Sequence, residues 1–167
     1  SALKQKKDND SSKDGMDIAL ICFSPIFPKE GEGGNSAGTP ATLGRAGVRL
    51  QYASANRPLV YIENGEVKEI PPDKTAIGGY TDDSYGFTNH SLEFEKGTML
   101  YTFSDGYSDQ FGGSKGKKFM HKNLKELFIT IKNLPVDEQE KTLREVFYSW
   151  KGEHEQVDDV LIIGILV

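Results

Sequence analysis

Alternation of apolar and polar positions dominates the middle of the chain. From Gly47 to Ala55, Val48, Leu50 and Tyr52 alternate with more polar neighbours, the period-two pattern of a half-buried strand. Pro58–Glu63 and Glu66–Ile70 carry similar signals on either side of Asn64-Gly65. Asn-Gly between two such runs predicts a tight hairpin, because both central residues need positive φ. Phe87–Phe94 and Thr98–Phe103 predict two more strands around Glu95-Lys96-Gly97. Upstream, Met16–Phe23 is a short apolar run bounded by polar turns and reads as a buried strand.

The period then changes from two to about 3.6 residues. His121–Lys132 places Leu124, Leu127, Phe128 and Ile131 on one helical face. Asp137–Trp150 does the same with Leu143, Val146, Phe147 and Trp150. Asp137, just after Pro135, is expected near the N-cap of this second helix, and Gly152 is expected to end it. Both apolar stripes read as core packing. Asp158–Val167 is almost continuously apolar after its first two residues, which predicts a buried, central strand. Strands, then two helices, then a returning strand give an α+β fold, with mostly antiparallel sheets and helices packed on one face.

Two stretches fall outside this pattern. Residues 1–14 are polar and lysine-rich and read as a flexible start or the end of a preceding helix, leaving 15–167 as the folded portion. Pro25–Gly47 is rich in Gly, Pro, Ser and Thr and reads as a long loop, either an insertion or a flap near the active site.

A chain of 167 residues suits one domain with a real core. Its formal net charge of −5 argues against nucleic acid as a partner. Lys115, Lys117, Lys118 and Lys122 cluster near a Gly-rich loop. They read as a solvated face, the alternative being a contact for a phosphorylated or acidic partner. The single cysteine, Cys22, excludes an internal disulfide. Without cationic neighbours or a phosphate-binding loop, Cys22 reads as a buried structural thiol and not a nucleophile. No apolar run approaches the roughly 20 residues that cross a bilayer. No secretory signal is visible, so a cytoplasmic location without direct membrane insertion is expected, with the parent protein able to be tethered through an upstream segment. His90, His121 and His154 lack metal-ligand spacing, and no P-loop, dinucleotide fingerprint or Gly-x-Ser-x-Gly elbow is present.

The candidate chemistry lies at the ends of two predicted strands. Tyr101–Gly106 carries Asp105, followed by Asp109, and Gln156–Asp159 carries Asp158 and Asp159. Aspartates from distant segments suit hard Mg²⁺ or Mn²⁺ ions, which favour oxygen ligands and keep several waters. Without a cation, Asp105 and Asp158 would repel each other. Read alone, Ser104-Asp105-Gly106 is equally a turn and Asp158-Asp159 equally a charged strand start. Gly106 is expected to let the chain turn sharply, and Gly112-Gly113 to form a turn or a mobile loop. Arg57 reads as a turn residue with a solvated charge, the alternative being a phosphate contact.

Leu50–Leu59 (LQYASANRPL), Ile77-Gly78, Gly97 with Leu100–Asp109, and Gln156–Asp159 stand in an order that resembles the C-terminal part of the SpoIIE-type serine phosphatases. These are members of the metal-dependent, type 2C (PPM) protein phosphatase superfamily. The likeness runs from about Gly15 to Val167, and Ser104–Gly113 is especially similar to a bacterial subgroup whose phosphatase domain follows sensory regions. The resemblance implies an α/β/β/α sandwich, of which this chain supplies part. It implies a two-metal site for Mn²⁺ or Mg²⁺, with Asp105 and Asp158 as metal ligands and Asp109 at a position used for an extra metal. Asp159 is expected to face elsewhere, because adjacent strand residues point to opposite faces.

Two family segments, Gly-Asp-Phe/Tyr-Tyr-Asp and Asp-x-x-Gly-His-Gly, are missing from this sequence, and the first supplies the aspartate that bridges the metals. The chain is accordingly expected to be a piece holding the second half of a catalytic domain, its metal site partly supplied by residues outside it, with Ser1 a vector remnant. The implied activity of the parent protein is hydrolysis of phosphoserine or phosphothreonine in a regulatory protein. By the resemblance, that partner is a phosphorylated anti-sigma-factor antagonist, and an upstream sensory region regulates the enzyme. The alternative is a non-catalytic, phosphatase-like interaction module.

Overall fold

The computed structural model describes residues 14–26 and 47–167. Most of the predicted loop at 25–47, and the flexible start at 1–14 save for Asp14, lie outside the described residues. In chain order the elements are β1 (Gly15–Met16), β2 (Ile18–Ile26), β3 (Gly47–Ala55), β4 (Leu59–Glu63), β5 (Glu66–Ile70), β6 (Ile77–Gly78), β7 (His90–Glu95) and β8 (Met99–Phe103). They continue with α1 (Gly106–Asp109), β9 (Phe111–Gly112), β10 (Lys117–Lys118), α2 (His121–Ile131), α3 (Val136–Lys151) and β11 (Ile162–Leu166).

Two antiparallel sheets carry the architecture. One has the order β2-β3-β7 and the other β11-β8-β4-β5. The β4–β5 hairpin turns at Asn64 (φ 52°) and Gly65 (φ 82°), the left-handed pair that Asn-Gly predicts. Strand alternation then divides the apolar residues of the four-stranded sheet between two cores. Val60, Ile62, Met99, Tyr101 and Phe103 pack on one side with Leu124, Phe128, Leu143 and Phe147 of α2 and α3. Leu59, Ile70 and Leu100 pack on the other with Leu50, Tyr52 and Phe94 of the second sheet. The described layers are therefore sheet, sheet and helices, an α+β arrangement with the helices on one face.

The helical core is also pinned by polar atoms. Tyr101 stacks on Phe128 at 4.0 Å and donates its hydroxyl to Gln139 Oε1 at 2.7 Å. Tyr107 donates to the Leu143 carbonyl at 2.8 Å. Burial pushes both phenols above their ordinary range, so they serve as neutral donors.

Several expectations need correction. The last strand is shorter than its apolar run and, among the described residues, lies at a sheet edge, pairing with β8, with Ile163 and Leu166 exposed. An apolar run reports the hydrophobicity of a segment and not its number of neighbours. Cys22 is exposed and not buried, because its neighbours Ile21 and Ala19, and not Cys22, face the second sheet. Helix α3 begins one residue earlier than expected, with Pro135 and not Asp137 at its N-cap, while Gly152 (φ 52°) does end it. No helix among the described residues is long and apolar enough to cross a membrane.

Candidate active site

The β8–β11 pairing brings the two acidic segments together. Its last ladder pair is Phe103 with Ile162, and the contact continues past the strand ends. Ser104 N–H donates to the Leu161 carbonyl at 2.9 Å, and Leu161 N–H donates to Ser104 Oγ at 2.9 Å. Ser104 Oγ also donates to the Asp159 carbonyl at 2.9 Å. Gly106 lies so close to that carbonyl that a Cβ would overlap it. The glycine therefore serves close approach of two backbones, and the sharp turn expected there is instead the start of α1.

Asp105 caps α1 through its carbonyl, which accepts Asp109 N–H and Ser108 Oγ–H, each at 2.9 Å. Its carboxylate makes no cap bond and is half exposed. Asp158 Oδ1 accepts Asp159 N–H at 2.7 Å, and the Asp158 carbonyl accepts Gln156 Nε2–H at 2.9 Å. Asp159 contributes to the junction through its backbone.

Arg57 is the cation that meets the Asp105 carboxylate, and it joins it to a second one, Asp17. Its Nη1 lies 3.1 Å from Asp105 Oδ1 and its Nη2 lies 2.8 Å from Asp17 Oδ2. The arginine side chain is 24 % exposed, so the expectation of a solvated turn charge is overturned. Asn56 Nδ2 donates to the other Asp17 oxygen at 2.8 Å. The loop beneath is held firmly. Asn56 adopts φ 58°, its N–H donates to the Asp73 carbonyl at 2.9 Å, and the Arg57 carbonyl accepts both the Tyr52 hydroxyl and Ser54 Oγ–H. Asp73 in turn accepts Thr88 N–H at 2.8 Å, which with the Thr88 hydroxyl holds its carboxyl below the usual range. Asp17 was not singled out from the sequence. The available signal was a lone charge between Met16 and Ile18, breaking an otherwise apolar run.

Asp109 sits one turn along α1 and pairs with Lys118 Nζ at 2.9 Å. That lysine also lies over the Phe111 ring, so this part of the lysine cluster is structurally engaged. Gly112 and Gly113 pack against Trp150: Gly113 N–H donates to its carbonyl at 2.8 Å, and Trp150 Nε1–H donates to the Gln110 carbonyl at 3.1 Å. The pair thus belongs to a packed β9–β10 hairpin and not to an open loop.

Asp105, Asp158 and the nearby backbone oxygens are hard donors that suit Mg²⁺ or Mn²⁺ in chemical type. They do not suit it in number, since no three Asp, Glu, His or Cys side chains converge on a metal position among the described residues. Among the described residues these donors do not make up a whole cation site. One hollow among the described residues lies between α3 and β11 and does not include Asp105. A smaller, mostly apolar cleft between the two sheets is lined by Asp17, Arg57 and Ser104, next to Asp105 in the chain but without its side chain.

Residues 40–167 match the family model described as stage II sporulation protein E (SpoIIE). The solved SiaA-PP2C domain of Pseudomonas aeruginosa is similar over 73 % of this chain and 51 % of that one, with 25 % identity and a TM-score of 0.65. The phosphatase domain of SpoIIE from Bacillus subtilis, presoaked with Mn, is similar over 92 % of this chain and 56 % of that one, with 13 % identity and a TM-score of 0.51. At the latter identity the likeness is one of fold. The chain spans about half the length of these two solved structures. No curated protein matches at a significant level.

Proposed function

The chain belongs to the SpoIIE family of PP2C-type protein phosphatases, and from that premise we propose that its parent protein hydrolyses phosphoserine or phosphothreonine in a regulatory protein, using Mn²⁺ or Mg²⁺. The observation that carries this reading is the junction of the Asp105 and Asp158 segments at one end of the β8–β11 pair. Asp105 and Asp158 would hold the cation, with Asp109 close by on α1. The bound cation supplies a water of lowered pKa and positive charge for the phosphoryl oxygens. Ser104 fixes the spacing of the two aspartate segments through its three hydrogen bonds. Arg57 balances the carboxylate charge at the mouth of the cleft. The remaining ligands come from residues outside this chain. In this proposal the substrate is a phosphorylated anti-sigma-factor antagonist, the setting is bacterial, cytoplasmic signalling, and an upstream sensory region controls the enzyme.

A second reading is a non-catalytic, phosphatase-like interaction module. It is favoured by the ion pairs that already occupy Asp105 and Asp109. The test is Mn²⁺-dependent release of phosphate from a phosphoserine peptide by the parent protein. Asp105→Asn and Asp158→Asn should each lower the rate by about two orders of magnitude, the scale of losing one electrostatic element of a site. Full activity in both variants would refute the assignment, and no hydrolysis by the parent with either cation would favour the interaction module.

A further inference from the structure

The two arms of Arg57 are not equivalent. Its Nη2 contact, Asp17, has a side chain 29 % exposed and is tied a second time by Asn56 Nδ2. Its Nη1 contact, Asp105, has a side chain 52 % exposed and is reached at a longer 3.1 Å. One carboxylate is thus anchored and shielded, while the other is open to solvent and exchange. The backbone under Arg57 is fixed by three hydrogen bonds and by the left-handed Asn56. Arg57 lines a cleft, and a guanidinium there held on one arm, with the other arm on an exposed and exchangeable carboxylate, is preorganised to bind a tetrahedral oxyanion.

We propose that Arg57 binds the phosphoryl group of the substrate through its Nη1 arm, and that Asp17 is the positioning residue that aims it. This rests on the phosphatase reading and adds to it a group that grips the substrate's phosphate. The Asp105 carboxylate holds the arm in the absence of phosphate and gives it up when phosphate arrives or when Asp105 turns to a cation. Three consequences follow from the geometry. Asp105→Asn removes the competing anion, so phosphate should bind Arg57 more tightly. Asp17→Asn loosens the anchor, so phosphate should bind less tightly. Arg57→Lys keeps the charge but loses the two-armed fork, so it should not restore binding.

The test is an NMR titration of the isotopically labelled 167-residue chain with inorganic phosphate, read at the arginine side-chain Nε–Hε resonances. The wild type should show a saturable shift at Arg57. Asp17→Asn should weaken the dissociation constant about tenfold, the scale of one charge-assisted hydrogen bond, while its thermal midpoint stays close to wild type. Asp105→Asn should tighten it severalfold, and Arg49→Gln, which removes an exposed arginine of β3, should leave it unchanged. No response at Arg57, or equal affinity in the wild type, Asp17→Asn and Asp105→Asn, overturns the proposal. The phosphatase reading is tested separately in the same samples by added Mn²⁺. Mn²⁺ binding that depends on Asp105, with no phosphate response at Arg57, refutes the Arg57 assignment alone; Mn²⁺ binding indifferent to Asp105 refutes the reading beneath it.

Discussion

Ser104 and Leu161 exchange two hydrogen bonds at 2.9 Å, one from each backbone N–H, across the gap beyond the β8–β11 ladder. This exchange converts a strand pairing into a fixed spacing between the loops of Asp105 and Asp158. Ser104→Ala deletes the acceptor of Leu161 N–H and the donor to the Asp159 carbonyl while leaving the fold intact. We expect a stability loss of about 1 kcal/mol and a larger proportional loss in Mn²⁺ affinity. Urea unfolding beside a metal titration checks both, and unchanged metal affinity would show that the spacing does not depend on Ser104.

Gly106 should tolerate no side chain. A Cβ there meets the Asp159 carbonyl, which belongs to backbone and cannot rotate away. Gly106→Ala is expected to cost about 1–3 kcal/mol as an overpacked contact and to pry the two acidic segments apart. Its thermal midpoint should fall, and chemical-shift changes should reach Asp158 and Asp159.

The hairpin, the two helices and the β3 strand were legible because each is a local pattern. Asn64-Gly65 states its turn by φ, and Leu124, Phe128, Leu143 and Phe147 mark their own faces. The junction of the Asp105 and Asp158 segments was legible only as two separate acidic signatures at the ends of apolar runs; their meeting depends on the β8–β11 pairing. The partner of Asp105 was not legible. Arg57 lies 48 positions upstream and Asp17 lies 40 positions before Arg57, and only the pairing of β2, β3, β4 and β8 brings them together. The edge position of β11 was hidden for a related reason, since strand order depends on what a segment pairs with and not on its own composition. The exposure of Cys22 was a matter of register, which an apolar run does not reveal.

Tyr101 and Gln139 form a buried polar contact between β8 and α3. Tyr101→Phe leaves Gln139 Oε1 without its phenol donor, at a cost of about 1–3 kcal/mol. Replacing both residues, Tyr101→Phe with Gln139→Leu, should recover part of that loss. A double-mutant cycle by urea unfolding measures the coupling, and strict additivity would show that the bond contributes nothing.

Asp73 gives a pH signature. Its carboxyl is held below its ordinary value of 3.8 by Thr88, first through the backbone N–H and then through the hydroxyl. A lowered folded value means that the stabilisation is fully present above the unfolded value and is lost as pH falls through the folded one. Asp73→Asn should therefore be less stable than wild type at neutral pH, with the gap closing in strong acid. Urea midpoints of both proteins against pH check this, and a gap that persists unchanged below the folded value would contradict it.

We propose that Asp105 and Asp158 share one cation. Paramagnetic broadening by Mn²⁺ of the backbone resonances tests it most directly, because it maps even weak binding. Broadening should centre on Asp105, Gly106, Asp158 and Asp159, and should collapse in both Asp105→Asn and Asp158→Asn. Broadening centred elsewhere, or unchanged in either variant, would contradict the account.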